Sequence, residues 1–528
     1  MLERDNVRFF DMTSVSPTQG IERRATGQYV KAGLARLFPG EVFRNICVSF
    51  NGSGEYHPKV SLIQRMFGGG KKIEGLPAYY EVELEHLTGN HTETLIVWSP
   101  AAWNDRFAGT AGGGTGIGGR SYLTKPDNAQ RGLTVPFAVM NGFTAATMFA
   151  GNNDGGLHDY TIDPKTGTLN RELYENWRLR STHNMTVFGK AIAELLHDRP
   201  VRWSYMNGGS GGGRQSLMEV QNYPKDYNGI WASCPAINWQ KLMVSGFWAQ
   251  TLMNEYGITF SAKKNQFFID AVHEANGGAD KYYHLEKIPE FDFYSCVGKN
   301  IGSDSITEAD ARFMTELCRG PRKADGSFLW YGFAPGVKNW QCVIPIGTYY
   351  YPMPWSRHVK PFFLAPICAR WITETPGQKF DGMKIREFTE LFEEGVRKFS
   401  DNLGDNPAID AFVNAGGKLI IDHGMDDPLI PVAGTLDYYG KLLTHFGSQS
   451  ALDRFMRLYI TPGDSHGNCF GNGPGITEKD GMLALMKWVE EGKAPEEIRK
   501  VRVDRKNGET LEESSQSPYR DERQNNED

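Results

Sequence analysis

Asn207-Gly208-Gly209-Ser210-Gly211-Gly212-Gly213 is the stretch of this chain that decides its fold. It contains a Gly-x-Ser-x-Gly pattern centred on Ser210, which forms a nucleophile elbow when it lies in a turn from strand to helix. The chain holds 60 glycines among 528 residues, so the pattern alone is a weak signal. Residues 201–206 are rich in β-forming side chains, and residues 214–222 have helical spacing before Pro224. The sequence therefore predicts the context of an elbow, with a flexible glycine loop as the alternative.

The histidine that would act as general base lies downstream of the serine. A lone serine hydroxyl is a poor nucleophile, and in this type of site an acid and then a histidine follow the serine along the chain. Four downstream histidines lie at plausible strand ends or in loops: His358, His423, His445 and His466. We favour His466, because it follows the apolar residues 455–460 and lies in a glycine-containing loop.

The candidates for the acid lie mainly in the loop after the preceding predicted strand. Residues 417–422 indicate a buried strand, and Asp427 lies in the loop that follows it. Asp426 is the nearest rival, whereas Asp464 is so close to His466 in sequence that it is less suited to reach the imidazole from behind. A single aspartate is more often solvated or structural. The ordered set of the serine, Asp427 and His466, each at the end of its own predicted strand, is a much more specific sign of a catalytic triad.

A second glycine cluster, Gly112 to Gly114, is the candidate for the oxyanion hole. It follows a predicted strand of residues 94–98 by way of residues 103–107. In α/β-hydrolases a loop after an early strand supplies one backbone N–H, and the residue after the nucleophile supplies the other. We assign these two donors to Gly113 and Gly211, with an ordinary glycine-rich surface loop as the alternative.

Together these segments resemble the tannase and feruloyl esterase family over residues 76–495. The resemblance is carried by the elbow with Arg214-Gln215, Trp103-Asn104-Asp105-Arg106-Phe107, His183-Asn184-Met185-Thr186, Pro235-Ala236-Ile237-Asn238-Trp239, and residues 223–230, 423–431 and 462–467. It implies an α/β fold, an α/β-hydrolase core with a large inserted lid domain. It also implies Ser210 as nucleophile, Asp427 as acid and His466 as base.

Two departures from the family pattern concern sulfur and metal. The family usually has a cysteine just before the serine and another just after the histidine, joined by a disulfide. Here Gly209 and Gly467 stand at those positions, so we expect packing and hydrogen bonds to hold the triad. Many members bind a structural calcium in the lid, but residues 273–296 lack the alternating aspartates that calcium needs. We therefore predict no metal and no cofactor.

Charge, cysteines and hydropathy exclude several classes of partner. The net charge is −6 and no basic block stands out, which argues against a nucleic-acid partner. No apolar run is long enough to cross a membrane, and the N-terminus has no apolar signal region. The seven cysteines are scattered and form no Cys-x-x-Cys pair, which favours a reduced, cytoplasmic location. Whether the chain forms a homo-oligomer stays open.

Composition divides the chain into five parts. Residues 1–75 form an N-terminal arm, and residues 76–239 the first part of the α/β-hydrolase core. Residues 240–400 form the lid domain, which is dense in aromatic side chains. Residues 401–503 complete the core, and the polar residues 504–528 are predicted to be a disordered tail.

These observations predict a serine esterase that acts on a small-molecule ester of an aromatic, phenolic acid. The reaction follows from the triad, whereas the substrate follows from the resemblance and from the aromatic lid. In one interpretation the lid stacks an aromatic acyl group over the serine, and in the other its aromatic residues mostly form its own core. Two alternatives to hydrolysis remain: an acyltransferase with the same triad, and a hydrolase-like binding protein without catalysis.

Overall fold

A nine-stranded sheet forms the centre of the computed structural model. The structure describes residues 8, 10–59, 70–123, 133–151, 161–163, 166–277, 287–337, 361, 364–375, 377–467, 472–504 and 509–520. The strands are β1 Val42–Asn51, β2 Glu55–Tyr56, β3 Ile73–Glu74, β4 Tyr79–Thr88, β5 His91–Pro100, β6 Arg106–Thr110, β7 Thr144–Phe149, β8 Trp203–Gly209, β9 Gly229–Ser233, β10 Asn300–Ile301, β11 Asp304–Ser305, β12 Lys418–Gly424, β13 Met456–Thr461, β14 Gly475–Ile476, β15 Ile498–Val503 and β16 Thr510–Gln516.

The order of strands in the central sheet is β1-β4-β5-β7-β6-β8-β9-β12-β13. From β7 to β13 the neighbours run parallel, whereas β1, β4, β5 and β7 pair antiparallel. Helices cover both faces of the parallel half, so its strands are almost continuously buried, as Leu419, Ile420 and Ile421 of β12 illustrate. This topology confirms the predicted α/β-hydrolase core and brings the carboxyl ends of β8, β9, β12 and β13 to one edge.

The four strands predicted around the site are confirmed, but a further strand, β6, was not predicted. The strands predicted at 201–206, 417–422 and 455–460 correspond to β8, β12 and β13. Residues 94–98 belong to β5, but the strand that leads into the glycine loop is the short β6. Ala108 and Gly109 of β6 have low intrinsic strand propensity, and the pairing of β6 between β7 and β8 outweighs that propensity.

Helices surround the sheet and fill the long connection between β9 and β12. They are α1 Ile21–Arg24, α2 Gly27–Leu37, α3 Val135–Met140, α4 Arg171–Glu175, α5 Ser181–His197, α6 Gly211–Asn222, α7 Trp239–Ser245, α8 Trp248–Tyr256, α9 Ala262–Ala275, α10 Glu308–Arg319, α11 Leu364–Thr373, α12 Ile385–Lys398, α13 Asp410–Asn414, α14 Val432–Phe446, α15 Gln449–Asp453 and α16 Glu478–Glu491. A π-helical turn, Asn176–Arg180, leads directly into α5. In the described part of the chain, no helix has the length and apolar character needed to cross a membrane.

The connection between β9 and β12 packs on the core through aromatic side chains. Trp177 lies 5.1 Å, between ring centroids, from both Trp239 and Trp371. Most described aromatic residues of the connection are buried and join the main hydrophobic cluster: Phe247, Trp248, Phe268, Trp330, Phe333 and Trp371. They therefore contribute to a core, as the second interpretation expected. Trp340, Tyr349, Tyr350, Tyr351, Trp355, Phe362 and Phe363 lie outside the described residues.

Both ends of the chain are more structured than the sequence predicted. β1, from the predicted N-terminal arm, pairs with β4 at the edge of the central sheet. The prediction of a disordered tail is wrong for β16, which pairs with β15 in a three-stranded sheet. Cross-strand ion pairs, such as Arg499 with Glu513 at 2.8 Å, accompany this backbone pairing. A strand held in this way needs few apolar residues, so composition does not reveal it.

Candidate active site

Ser210 lies at a sharp turn between β8 and α6. Its backbone has φ 60° and ψ −122°, a conformation that a residue with a side chain adopts only under strain. The Ser210 N–H donates to the carbonyl of Ser233 at 3.0 Å, and the Ser210 carbonyl accepts from the N–H of Ala236 at 3.0 Å. The predicted strand, turn and helix are therefore confirmed, and the turn has the geometry of a nucleophile elbow.

The glycines around the serine allow backbones to pack directly on one another. A Cβ atom on Gly208 would come within 3.0 Å of the Gly212 carbonyl, at the start of α6. A Cβ on Gly211 would meet the backbone of Gly114, and one on Gly212 would lie 2.5 Å from the carbonyl oxygen of Gly112. The glycine loop after β6 is thus in contact with the first turn of the elbow helix, as an oxyanion loop must be.

Gln215 fixes the conformation of this loop. Its Oε1 accepts from the N–H of Gly112 at 2.8 Å, and its Nε2 donates to the carbonyl of Gly116 at 3.1 Å. The N–H of Gly116 in turn donates to the Gly113 carbonyl at 2.9 Å. The N–H of Gly112 is therefore already engaged. Within the predicted cluster this leaves Gly113 or Gly114 to supply the loop's oxyanion donor.

Asp427 and His466 form a buried hydrogen-bonded pair. His466 Nδ1 donates to Asp427 Oδ2 at 2.8 Å, so that Nε2 is the ring nitrogen left for a reaction. The other oxygen, Oδ1, accepts from the backbone N–H groups of Leu429 at 2.8 Å and Ile430 at 3.0 Å. Both residues lie in loops at the carboxyl edge of the sheet, after β12 and β13.

His423 holds the far side of the Asp427 carboxylate. Its Nε2 lies 3.2 Å from Asp427 Oδ2 and 3.1 Å from the Ile430 carbonyl, while its Nδ1 lies 2.8 Å from the Thr435 hydroxyl. An Nε2–H that donates to the carboxylate fits these contacts, with Nδ1 accepting from the hydroxyl. His423, one of the four candidate histidines, therefore supports the acid. Its position at the end of a buried strand, four residues before Asp427, is the sequence signal for this role.

The pair shifts the pKa values of both of its members. Burial alone raises the pKa of the Asp427 carboxyl, but the charge of His466 and hydrogen bonds from His423 and His466 outweigh burial and lower it. Burial lowers the pKa of the His466 imidazole, but the negative charge of Asp427 and contacts with Asp427 and Cys234 raise it well above its usual value. An ionised carboxylate beside a basic imidazole is what a general-base pair requires.

The remaining candidates lie elsewhere. The Asp464 carboxylate accepts from the N–H of Ser465 at 3.0 Å and faces Gly475. His445 pairs with Asp410 at 2.7 Å on the surface. Asp426 joins the loop after β12 to the loop after β13 through its backbone, because its N–H donates to the Asp464 carbonyl at 3.0 Å. His358 lies outside the described residues.

Cys234 is a site residue that the sequence analysis missed. It follows β9, is buried and has φ 36°, and its Sγ lies within 4.8 Å of the ligand atoms of His466 and Asp427. Among the described residues, no hydrogen bond joins Ser210 to His466. The five cysteines in the described part of the chain form no disulfide, in agreement with the glycines at positions 209 and 467. The position of Cys234 at the end of a parallel strand between β8 and β12 could have identified it.

Comparison with known proteins agrees with this geometry. The family model described as tannase and feruloyl esterase matches residues 92–517. A probable feruloyl esterase from Arthroderma benhamiae is 29% identical over 449 residues, 81% of this chain and 79% of the relative. Feruloyl esterase C from Talaromyces stipitatus is 26% identical over 446 residues, 79% of this chain and 77% of the relative.

Solved structures share the fold over nearly the whole chain. Feruloyl esterase B from Aspergillus oryzae has a TM-score of 0.74 at 20% identity and covers 94% of this chain and 95% of its own. Tannin acyl hydrolase from Aspergillus niger has a TM-score of 0.75 at 18% identity and covers 96% and 93%. At these identities the structures show the fold, and the family model shows the relationship. The chain belongs to the tannase and feruloyl esterase family and is a carboxylic ester hydrolase.

Proposed function

We propose that this chain hydrolyses esters of aromatic, phenolic acids through a triad of Ser210, His466 and Asp427. The observation that carries the proposal is the convergence at one sheet edge of a strained serine after β8 and a buried Asp–His pair after β12 and β13. Three unrelated loops supply these groups in the order serine, acid, histidine that an α/β-hydrolase uses.

In the proposed reaction, Ser210 Oγ attacks the ester carbonyl while His466 Nε2 accepts the hydroxyl proton. Asp427 holds the imidazole in the correct tautomer and stabilises its charged form. The N–H of Gly211 and that of Gly113 donate to the developing oxyanion. His466 then gives its proton to the leaving alcohol, and a water activated by the same imidazole releases the acid from the acyl-enzyme. Serine–histidine hydrogen bonds are often long in unliganded sites and tighten when substrate binds.

The proposed substrate class is supported by the named relatives and by the insertion. The relatives are named for feruloyl esters, and one structural neighbour for tannin, both of which contain phenolic acyl groups. The insertion is rich in aromatic side chains, and such side chains suit stacking on a phenolic ring. The absence of a metal, the absence of a cofactor and a cytoplasmic location stay predictions.

Ser210→Ala is the first test. Removal of the nucleophile is expected to lower kcat by about 10⁴-fold or more on ferulate, gallate and simple aryl esters. Ser216→Ala is the matched control, because Ser216 is a buried serine further along the same helix. It should keep near-normal turnover and should still react with a fluorophosphonate probe.

Near-normal turnover by Ser210→Ala would refute the assignment. Failure of the folded wild-type protein to react with the fluorophosphonate would favour the non-catalytic binding protein. Product analysis with added alcohols separates hydrolysis from acyl transfer, since a transferase would return a new ester.

A further inference from the structure

We propose that Cys234, His466 and Asp427 form a binding site for a soft divalent metal ion such as Zn²⁺, which blocks the general base when it binds. The inhibitory effect rests on the proposed function, whereas the binding itself does not. No assignment of a metal to these residues follows from the family comparison or from the triad.

The geometry brings three ligand atoms into one small volume. Cys234 Sγ, one nitrogen of His466 and one oxygen of Asp427 all lie within 4.8 Å of one another. Cys234 follows β9, which lies between β8 and β12 in the sheet, so the thiol comes from the strand between the nucleophile and the acid. All three side chains are buried, with His466 the most accessible at 9% exposure, so an ion would enter past its ring.

The chemistry of this donor set selects the metal. Zinc is bound by cysteine sulfur, histidine nitrogen and aspartate oxygen, and sites with three protein ligands leave a fourth position open. A thiolate is a soft ligand that disfavours calcium and magnesium, which prefer oxygen. Its sulfur ligand distinguishes this set from the calcium site considered for the lid, and the inhibitory ion proposed for it departs from the prediction of no metal.

A second group of possible ligands is less suited to a metal. His183, Glu219 and Asp226 also lie close together, but they contain no sulfur. A cation is already present there, because Lys190 Nζ donates to the Asp226 carbonyl. His183 is further occupied by stacking on Tyr223, with ring centroids 3.7 Å apart. The group at the catalytic pair is therefore the stronger candidate.

The consequence for catalysis follows from the shared ligands. An ion at His466 Nε2 would block the nitrogen that passes the proton between serine and substrate, and an ion at Nδ1 would displace the hydrogen bond to Asp427. Loss of the carboxylate to the same ion would also remove the group that orients the ring. The bound ion should therefore inhibit ester hydrolysis reversibly, and a chelator should restore it.

Co²⁺ absorption tests the site directly on the intact protein. A Co²⁺ ion bound by Cys234 should give a thiolate-to-cobalt charge-transfer band, together with the visible absorption bands of a four-coordinate Co²⁺ site. Cys234→Ser and Cys234→Ala should both lose the charge-transfer band, while Ser210→Ala should keep it. Cys47→Ser, at an exposed thiol, and Cys469→Ser, three positions after His466 in the sequence, should also keep it.

Zn²⁺ inhibition of ester turnover is the second measurement. Loss of a residue that only supports a metal ligand typically costs about 10- to 100-fold in metal affinity. Cys234 would be a direct ligand, so the Zn²⁺ concentration needed for inhibition should rise by more than this in both Cys234 variants. The proposal is overturned if the folded wild-type protein shows no charge-transfer band, or if the band survives in both Cys234 variants. A band without any esterase activity would refute the proposed function and leave the metal site standing.

Discussion

At the scale of single residues, Asp427 is the best-supported side chain of the site. Its two oxygens lie against the backbone N–H groups of Leu429 and Ile430 and the rings of His423 and His466. Four donors around a buried carboxylate stabilise its ionised form and leave it little freedom to rotate. The acid of the pair is therefore fixed before any substrate arrives.

The pH profile of kcat/KM should report the His466 base. The imidazole accepts a proton only when it is unprotonated, so activity is lost as the pH falls below its pKa in the free enzyme. Because Asp427 raises that pKa well above 6.5, the acid limb should lie above pH 6.5. The measurement is kcat/KM against pH with a chelator present. A limb at or below 6.5 would contradict the structure, and Asp427→Asn should move the limb to lower pH as well as slow the reaction.

Substitution of His423 should weaken catalysis through Asp427. His423→Leu removes one donor to the buried carboxylate, and a hydrogen bond to a charged group contributes ~1.5–3 kcal/mol, so kcat/KM should fall about 10- to 100-fold. The acid limb of the pH profile should shift in the same variant, which a merely structural residue would not cause. His423→Gln keeps an amide N–H and should recover part of the rate. If both variants had the same kcat/KM and the same acid limb of the pH profile as the wild type, the role of His423 would be refuted.

The sequence predicted three residues of this sheet edge as a triad, but it gave no role to the two further residues that contact the Asp–His pair. Ser210, Asp427 and His466 stand in a fixed chain order, each after a strand, and that order is visible without a structure. His423 and Cys234 have no motif of their own. Cys234 reaches the pair because β9 and β12 are neighbours in the sheet, which is a fact of tertiary structure. His423 reaches it because it lies four residues before Asp427, where β12 ends.

At the scale of elements, the elbow helix and the loop after β6 behave as one unit. Gly211 and Gly212 of α6 touch the backbone of Gly114 and Gly112, and Gln215 joins the two segments by hydrogen bonds. The proposed oxyanion donors are therefore positioned by the same helix that follows the proposed nucleophile.

Gln215→Ala should loosen the loop without touching the nucleophile. Loss of an oxyanion donor itself costs about 10²- to 10³-fold in kcat, and a donor that is only displaced should cost less, about tenfold. KM should change little, because Gln215 is not expected to contact substrate. Gln221→Ala is the matched control, since Gln221 lies in the same helix and donates to Gly404, away from the loop. Equal kcat values for the two variants would show that Gln215 does not couple the elbow helix to the loop after β6.

Elements were predictable where propensity and pairing agree. β12 and β13 contain apolar, β-branched or aromatic side chains and β8 contains Trp203 and Tyr205, and the sequence located each strand within three residues of its observed bounds. β6 has five residues, of which Ala108 and Gly109 disfavour a strand, so its conformation depends on pairing with β7 and β8.

At the scale of the whole molecule, the C-terminal segment is tied to the core at three places. β16 pairs with β15, the N–H of Tyr519 donates to the Leu458 carbonyl of β13 at 2.6 Å, and Arg520 pairs with Asp453. The sequence predicted disorder here because the segment is polar, and polarity does not exclude a strand whose partner is already folded.

Truncation should show that this segment stabilises the fold. A chain that ends at Asp504 loses the pairing of β16 with β15 at six positions, and each backbone hydrogen bond contributes about 1 kcal/mol net. We expect the free energy of unfolding to fall by several kcal/mol in denaturant titrations. A chain that ends at Arg520 keeps the strand and both tethers and is the control. Equal stability of the two chains would show that the segment is dispensable.

Arg214 has a consequence for exchanging parts between relatives. Its buried guanidinium stacks 4.1 Å from the Trp177 ring and lies 5.8 Å from that of Trp239, and it donates to Asn402 at 3.1 Å. Trp239 begins the first helix of the connection between β9 and β12, and Asn402 follows α12 towards the end of that connection. A single side chain therefore contacts the connection both near its start and near its end. A chimaera that swaps the insertion for that of a relative should therefore be cut outside these two residues and should keep the arginine and both of its tryptophan partners.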